Sequence, residues 1–534
     1  MPVTSILAAR PAPAGNPREP SFFGDLNLDQ VCAGVTAGRD EYDLTPFFRT
    51  PLHDQAAVEF RHAVLGDLEN QDTGAAVTRF AQRMRAVRDS LAQAGKLRYR
   101  YQKESWFLDA ARGYCAAVSG LVGALGRAEI ASAGLSAFRE YLTGYATSPA
   151  FAALAAEAEE VAGALDNVRY CVNIKGPRVT VSRYEEEADF SADVVATFAR
   201  FARGAVKDYR GTFTNWPEMD HVEEWIADRV ARLFPAEFAA LDDFRARHDE
   251  FADETVTTFD REVQFYLGYL DFIAPMKVVG LEFCYPRVSA EEKRTDVAGA
   301  FDLALAAKLG PRAGEVVVND FRLSGEERII VVTGPNHGGK TTFARMVGQL
   351  HYLASLGYPV PAASARLSLP DQIFTHFERE EDLATLRGKL ADELARLRDA
   401  LGAATGRSLF VMNESFASTT LRDATFIGTR VIETMTGLGL LGVYVTFIDE
   451  LTSAAPACVS MVGTVNPDEP AERTYKIVRK PADGLAYASA IARKYRLTYP
   501  QLSERLAGVS GGPVAGGPVA GGPVPGGPVA GDTA

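Results

Sequence analysis

The stretch Gly334-Pro335-Asn336-His337-Gly338-Gly339-Lys340-Thr341-Thr342 follows the apolar run Ile329 to Val332 and precedes the amphipathic segment Phe343 to Leu356. Strand, glycine-rich turn and helix in this order fit the phosphate-binding loop G-x-x-x-x-G-K-[ST]. Glycines at 334, 338 and 339 let backbone N–H groups close on phosphate oxygens, and a helix opening near Gly339 adds the positive end of its dipole. Lys340 is then placed to neutralise the β/γ oxygens and Thr341 to hold Mg²⁺. All nine residues from Gly334 to Thr342 are candidates for contact with ATP. His337 reads either as a γ-phosphate or partner contact or, more simply, as a tolerated side chain in a loop whose backbone does most of the phosphate work.

A phosphate loop of this kind works with an acidic centre on a neighbouring strand. The apolar segment Ser408-Leu409-Phe410-Val411-Met412 ends in Asn413-Glu414, where such a centre belongs. In the common form an Asp ends the strand on the Mg²⁺ side and the next Glu polarises the attacking water. Asn413 brings an acceptor oxygen without charge. The candidate catalytic residues are therefore Glu414, as base, and Lys340; the candidate metal ligands are Thr341 and Asn413.

The chain has 534 residues, more than one hydrophobic core usually supports, and 47% of them are hydrophobic. At least two domains are expected. The five cysteines (Cys32, Cys115, Cys171, Cys284, Cys458) are scattered, with no C-x-x-C pair and no clustered histidines for zinc. They read as reduced, mostly buried thiols of a cytoplasmic protein. Pro2 to Pro20 lacks the continuous apolar core of a secretory signal. No apolar run reaches the roughly 18 residues a membrane span needs, and Leu438 to Ile448 reads as a buried strand. A formal net charge of −13 argues against a chain-wide nucleic-acid coat and leaves room for a local basic groove.

The pattern changes along the chain. Residues 1–40 form a Pro/Gly-punctuated extension, loosely ordered at its start. Residues 41–300 are dominated by amphipathic stretches: Ala76 to Ala94, Trp106 to Leu125, Ala150 to Leu165, Ala192 to Val206, Val222 to Phe234 and Phe251 to Ile273. A β-hairpin interrupts them at Tyr170 to Arg183, around the turn Lys175-Gly176-Pro177. Residues 301–507 alternate short apolar runs with helical segments, as an α/β domain requires. Expected strands are Glu315 to Val318, Arg328 to Val332, Gln372 to Phe377, Leu409 to Met412, Val443 to Phe447 and Arg473 to Val478. Residues 508–534 repeat Gly-Gly-Pro-Val-Ala and should form a flexible appendage.

With these residues in place a family resemblance emerges. The loop Gly334 to Thr342 is similar to the G-P-N-M-G-G-K-S-T loop of the MutS family of DNA mismatch repair ATPases. Gly357-Tyr358-Pro359-Val360-Pro361-Ala362 resembles that family's G-x-Y-V-P-A, and Ile373-Phe374-Thr375 with Asp382-Leu383-Ala384 resembles I-F-T-R … D-D-L-A. Asn413-Glu414 followed by Ser418-Thr419-Thr420 resembles D-E-x-G-x-G-T-S, and Thr446 to Leu451 resembles A-T-H-Y-x-E-L. Thr45 to Glu69 resembles the start of the family's helical core. The resemblance covers about 45 to 507. It implies an α/β P-loop NTPase domain of ABC-like type, C-terminal to a mainly α-helical lever domain. It also implies a homodimer with ATP and Mg²⁺ sites at the subunit interface, whose arms clamp DNA, and it puts base and ribose contacts near Val318-Asn319-Asp320.

The departures matter equally. The mismatch-reading N-terminal domain with its G-x-F-[YF]-E wedge has no counterpart: Ser21-Phe22-Phe23-Gly24 lacks the Glu, and its aromatics read better as packed against the core. Leu386-Arg387-Gly388-Lys389 stands where the family has its serine-rich signature, and Phe447 where it has a switch His. Asn413, Phe447 and the absent signature Ser together imply slow hydrolysis, or chemistry reassigned to Glu414, Ser418 and Thr419. For DNA, the run Lys96 to Lys103 interleaves cations with aromatics, though a solvated helix boundary explains it more simply. Two functions follow: a DNA-metabolism ATPase, linked to mismatch repair or a related process, and a nucleotide-gated scaffold that binds ATP, hydrolyses it poorly and recruits proteins.

Overall fold

Helix signals in the first half are local and strong. Asp54, Asn70, Ser132, Ser148 and Asp253 each cap a helix by accepting a hydrogen bond from a backbone N–H in its first turn. The computed structural model describes residues 5–9, 18–186, 219–378, 389–466, 473–482 and 497–509. Within them lie α1 (Leu28–Thr36), α2 (Thr45–Phe48), α3 (Gln55–Glu69), α4 (Gln71–Lys96), α5 (Arg100–Leu125), α6 (Ala133–Ala146) and α7 (Pro149–Asp166). The hairpin of β1 (Tyr170–Lys175) and β2 (Arg178–Arg183) pairs in register from Tyr170↔Arg183 to Lys175↔Arg178. Helices α8 (His221–Leu233), α9 (Pro235–Arg247) and α10 (Glu254–Val278) follow. The expected helices are present, with their ends within a few residues, apart from Ala192 to Val206, which lies outside the described residues. Glu187, residues 379–388 and the tail from 510 also lie outside them.

The second half contains β3 (Arg287–Ser289), β4 (Thr295–Ala300), α11 (Leu303–Leu309), β5 (Asn319–Leu323), β6 (Ile329–Thr333), α12 (Lys340–Ser355), β7 (Ser364–Ser368) and β8 (Ile373–Phe377). It continues with α13 (Lys389–Ala403), β9 (Leu409–Asn413), α14 (Leu421–Leu438), β10 (Leu441–Val445), β11 (Cys458–Val465), β12 (Arg473–Arg479) and α15 (Tyr499–Val509). A six-stranded sheet runs β12-β11-β6-β10-β9-β8. All its pairs are parallel except β11 with β12. A four-stranded sheet, β3-β7-β4-β5, draws strands from both sides of residue 300.

Every residue of β6, β9 and β10 is buried. That is why these segments read as unbroken apolar runs, since a parallel sheet is covered on both faces. Ile330, Val332, Val411, Val443 and Val445 join the core shared with the helical half and α12. Ile329, Val331, Phe410, Met412 and Tyr444 face Leu397 of α13 and Val431, Ile432 and Met435 of α14. Each fully buried aliphatic side chain here contributes about 1.5–3 kcal/mol relative to exposure.

Several expectations are corrected. The strand expected at Glu315 to Val318 lies at Asn319–Leu323, and Glu315 ends a 3₁₀ turn. Asn319, Phe321 and Leu323 face inward with Asp320 and Arg322 outward, so two-residue alternation outweighs the β-branched run before it. The strand expected at Val443 to Phe447 ends at Val445, because the Thr446 hydroxyl accepts the Ile448 N–H at 3.1 Å and turns the chain out of the sheet. Sequence reading did not register β3, β4, β7 and β11. Of the cysteines only Cys115 is fully buried; the other four are half-buried, and all are free thiols.

The start of the chain is not loose where it is described. Ile6 and Leu7 are buried, and the Ile6 N–H donates to Glu262 Oε2 at 2.8 Å. The segment continues around α12, which is buried on nearly all sides and not merely on one apolar stripe. Its polar residues are satisfied there: Gln349 donates to Leu26 O and Asp302 Oδ1, both at 2.9 Å, and accepts the Leu303 N–H at 2.8 Å. Arg61, 4% exposed, donates to Leu7 O at 2.9 Å and to Leu356 O, just beyond α12, at 2.7 Å. Phe22 and Phe23 pack as expected, their partner being Tyr352 of α12.

Candidate nucleotide site

Strand register builds the site. Val445 of β10 lies level with Val332 of β6 on one side and Asn413 of β9 on the other. All three strands therefore release the chain at the same height, and the segments beginning at Gly334, Glu414 and Thr446 emerge together. Asn413-Glu414 is expected from sequence on a strand neighbouring the loop strand. In fact β10 lies between β9 and β6. The crevice beyond the carboxyl ends of such strands is where α/β sheets bind ligands.

The loop has little freedom. Gly334 has φ 117°, and a Cβ there would lie 2.8 Å from Gly463 N and 3.1 Å from its Cα. Both the backbone angle and the approach of β11 require glycine. Gly334→Ala is therefore expected to cost about 2–4 kcal/mol of stability. Thermal denaturation reads this, and an unchanged midpoint contradicts it. The Gly338 N–H donates to Pro335 O at 3.2 Å, closing the turn, and Gly339, φ 88°, begins α12. Asn336 and His337 are exposed, His337 at φ 58°, and Arg473 donates to Asn336 O at 3.2 Å.

Lys340 is 3% exposed, and its ammonium donates to Gly334 O and Pro335 O, both at 3.0 Å. Burial lowers its pKa; Glu414 opposes the shift and Arg473 assists it. The Phe447 ring centroid lies 4.5 Å from Nζ. The position where the resemblance puts a switch His thus carries an aromatic face on the loop lysine, a contact worth about 0.5–2 kcal/mol. Glu414 is half-buried at φ 52°, with its N–H donating to Val445 O at 2.9 Å. Thr341 and Thr342 are half-buried in the first turn of α12.

Asn413 is buried and its Oδ1 has no hydrogen-bond partner. A buried acceptor left unpaired is costly, so this atom at a strand end beside the loop fits a role toward a hydrated cation. Thr341 lines the cleft beside Lys340, whereas Asn413 is not among the cleft-lining residues. Among the described residues no group of three or more His, Cys, Asp or Glu side chains could hold a metal by itself. A Mg²⁺ site here would need phosphate oxygens to complete it.

A cleft of about 740 Å³ runs from the loop. Its lining includes Lys340, Thr341 and Glu414 together with an apolar wall of Leu305, Leu309, Val316, Val317 and Met346, and the charged Asp302, Arg312 and Glu315. Sequence reading missed that wall. Its only signal, the Val316 to Val318 run, reads as a strand. The expected base and ribose contacts are constrained: Asn319 lines the cleft but spends its side chain on Ile477 N, Val317 O and Tyr475 O. Asp320 accepts the Gly299 N–H at 2.7 Å.

Not all expected neighbours meet. The Thr419 and Thr420 hydroxyls turn to Asp423 at 3.5 and 2.8 Å, and Ser418 is exposed outside the cleft lining. The signature-like residues Leu386, Arg387 and Gly388 lie outside the described residues, as do Asp382-Leu383-Ala384. In the Lys96 to Lys103 run, Arg100 pairs with Glu104 at 3.0 Å and Asp242 at 2.6 Å. Tyr99 donates to Asp228 and Tyr101 packs on Phe238. Those rings and that cation are engaged within the helical half, at a helix boundary.

Comparison with known proteins agrees with the loop and its sheet. The MutS domain V family matches residues 330–490. Residues 330–490 are thus similar to MutS domain V, and the relatives that the chain resembles are MutS proteins. The chain is 28% identical over 240 residues to the DNA mismatch repair protein MutS of Shouchella clausii (strain KSM-K16), covering 45% of this chain and 27% of that one. To MutS of Ruminiclostridium cellulolyticum it is 28% identical over 287 residues, 52% and 32% of the two chains. To MutS of Microcystis aeruginosa it is 30% identical over 246 residues, 45% and 27%. The matches span about a third or less of these curated relatives. No helix of the described residues is long and apolar enough to cross a membrane.

Proposed function

We propose that this MutS-like chain binds ATP with Mg²⁺ in the cleft at Gly334 to Thr342 and hydrolyses it slowly, driving a cytoplasmic homodimer whose helical arms engage DNA. The observation that carries this reading is that Lys340, Thr341 and Glu414 line one cleft together with the apolar Leu305, Leu309, Val316, Val317 and Met346. A cleft that combines a cationic glycine-rich loop with apolar side chains matches a nucleotide, with phosphates on the loop and the base against the apolar residues.

In the proposed reaction the loop N–H groups and Lys340 hold the β- and γ-phosphates. Glu414 accepts a proton from the attacking water; the new P–O bond forms in line as the β–γ bridging bond breaks and ADP leaves. Thr341 and Asn413 would hold Mg²⁺, which would supply charge neutralisation when bound. Lys340 can leave the two loop carbonyls for phosphate oxygens by rotating its stem, exchanging neutral acceptors for charged ones.

The nucleotide-gated scaffold retains specific support: Asn413 lacks the charge of an Asp, and Phe447 covers the loop lysine. Asn413→Asp separates the readings. If hydrolysis is limited by that missing charge, the variant should raise Mg²⁺-dependent turnover about tenfold, the effect of roughly one charge-assisted contact. Unchanged or lower turnover would mean the site is rebuilt for binding. DNA stimulation of turnover tests the proposed partner, and sedimentation with and without ATP tests the dimer.

A further inference from the structure

Between the sheet and α13 sits a buried ionisable pair that the proposed reaction leaves unused. His376 of β8 is 2% exposed and Glu393 of α13 is 5% exposed, with His376 Nε2 at 3.4 Å from Glu393 Oε1. The same Oε1 accepts the Phe416 N–H at 2.9 Å, and the Ser415 hydroxyl donates to His376 O at 3.5 Å. Burial works to raise the Glu393 pKa, and the His376 ring and Phe416 N–H more than offset it, so the carboxylate stays ionised. A buried carboxylate persists only where its partners are fixed.

What it holds is the turn after β9. Glu414 at φ 52° and Phe416 at φ 68° are both left-handed without being glycine. Such residues persist where surrounding contacts over-determine them, and they cluster at functional sites. Two hydrogen bonds fix this turn from opposite sides: the Glu414 N–H to Val445 O from β10, and the Phe416 N–H to Glu393 from α13. Phe416, 1% exposed, belongs to the same buried cluster as Leu397 of α13, Met412 of β9 and Tyr444 of β10.

We propose that Glu393 is a positioning residue for Glu414: its carboxylate, backed by His376, locks the turn 413–416 so that the Glu414 side chain points into the nucleotide cleft. This rests on the reading of Glu414 as the base. It adds a way for α13 to set hydrolysis without touching the nucleotide, because any shift of Glu393 relaxes the turn.

The test compares wild type, Glu393→Ala and Glu393→Gln in the full chain, with steady-state Mg²⁺-ATP hydrolysis and equilibrium ATP binding measured side by side. Gln retains an acceptor oxygen for Phe416, so it should stay within about threefold of wild-type kcat. Ala should lose roughly 10- to 100-fold in kcat, the effect of misplacing a base, with ATP affinity within about threefold. If Ala proves too unstable to assay, Glu393→Asp replaces it; it keeps the charge beside His376 but falls short of Phe416, and the same loss is expected. Wild-type turnover in the Ala or Asp variant would overturn the proposal, as would equal loss in Gln or a parallel loss of ATP affinity. Absence of turnover in the wild type would instead defeat the proposed hydrolysis and this assignment with it.

Discussion

Lys340→Ala is expected to lower ATP turnover by about 10²–10³-fold and to weaken ATP binding, since it removes a charge-assisted donor aimed at the phosphates. The side chain is 3% exposed and its ammonium donates to the Gly334 and Pro335 carbonyls and faces Phe447, so its removal leaves those carbonyls without that donor. Thermal stability should fall by about 1–3 kcal/mol, the cost of leaving a buried acceptor unpaired, and lost ATP binding by the variant while it remains folded would then reflect the lost charge. ATP titration beside a melting curve checks both halves. Wild-type ATP binding by the folded variant would sink the site.

Glu414→Gln is expected to lower turnover by about 10²–10⁴-fold while ATP binding is kept, the usual range for removing a general base. The substitution is close to isosteric, and the backbone bond from the Glu414 N–H to Val445 O is unaffected. The variant should therefore trap bound ATP. Retained turnover would mean that another group activates water. The neighbouring Thr419 and Thr420 hydroxyls already turn to Asp423, which leaves few replacements among the described residues.

These two variants separate binding from chemistry, and their residues are legible in the sequence because the signals are local. A β-branched run, a glycine loop and a helix in sequence fix β6, the loop and α12 whatever the rest of the chain does. Asn413-Glu414 is legible for the same reason, as a polar pair closing a fully buried strand. What escapes depends on pairing between distant segments. The four-stranded sheet is built from short strands such as Arg287–Ser289 and Ser364–Ser368, whose partners lie far away in sequence. The interposition of β10 between β6 and β9 is likewise a crossover that no local pattern encodes.

Side-chain roles are harder to read than elements. Phe447 reads in sequence as the loss of a histidine, whereas its ring faces the loop lysine. Arg61 gives no sign in the sequence of its place: it is buried, its donors satisfying the Leu7 and Leu356 carbonyls and so tying the helical half to the end of α12. Asn319 reads as a nucleotide contact and serves to pin β12 through Ile477. In each case the residue type is plain and its partner is not.

The most direct test of ATP hydrolysis at this site is steady-state turnover by the purified protein beside Glu414→Gln, with and without duplex, mismatched and branched DNA. Mg²⁺-dependent turnover that DNA stimulates, and that disappears in a variant still binding ATP, is the predicted result. Failure of the wild type to turn over ATP under any of these conditions, or equal turnover by the variant, would contradict it.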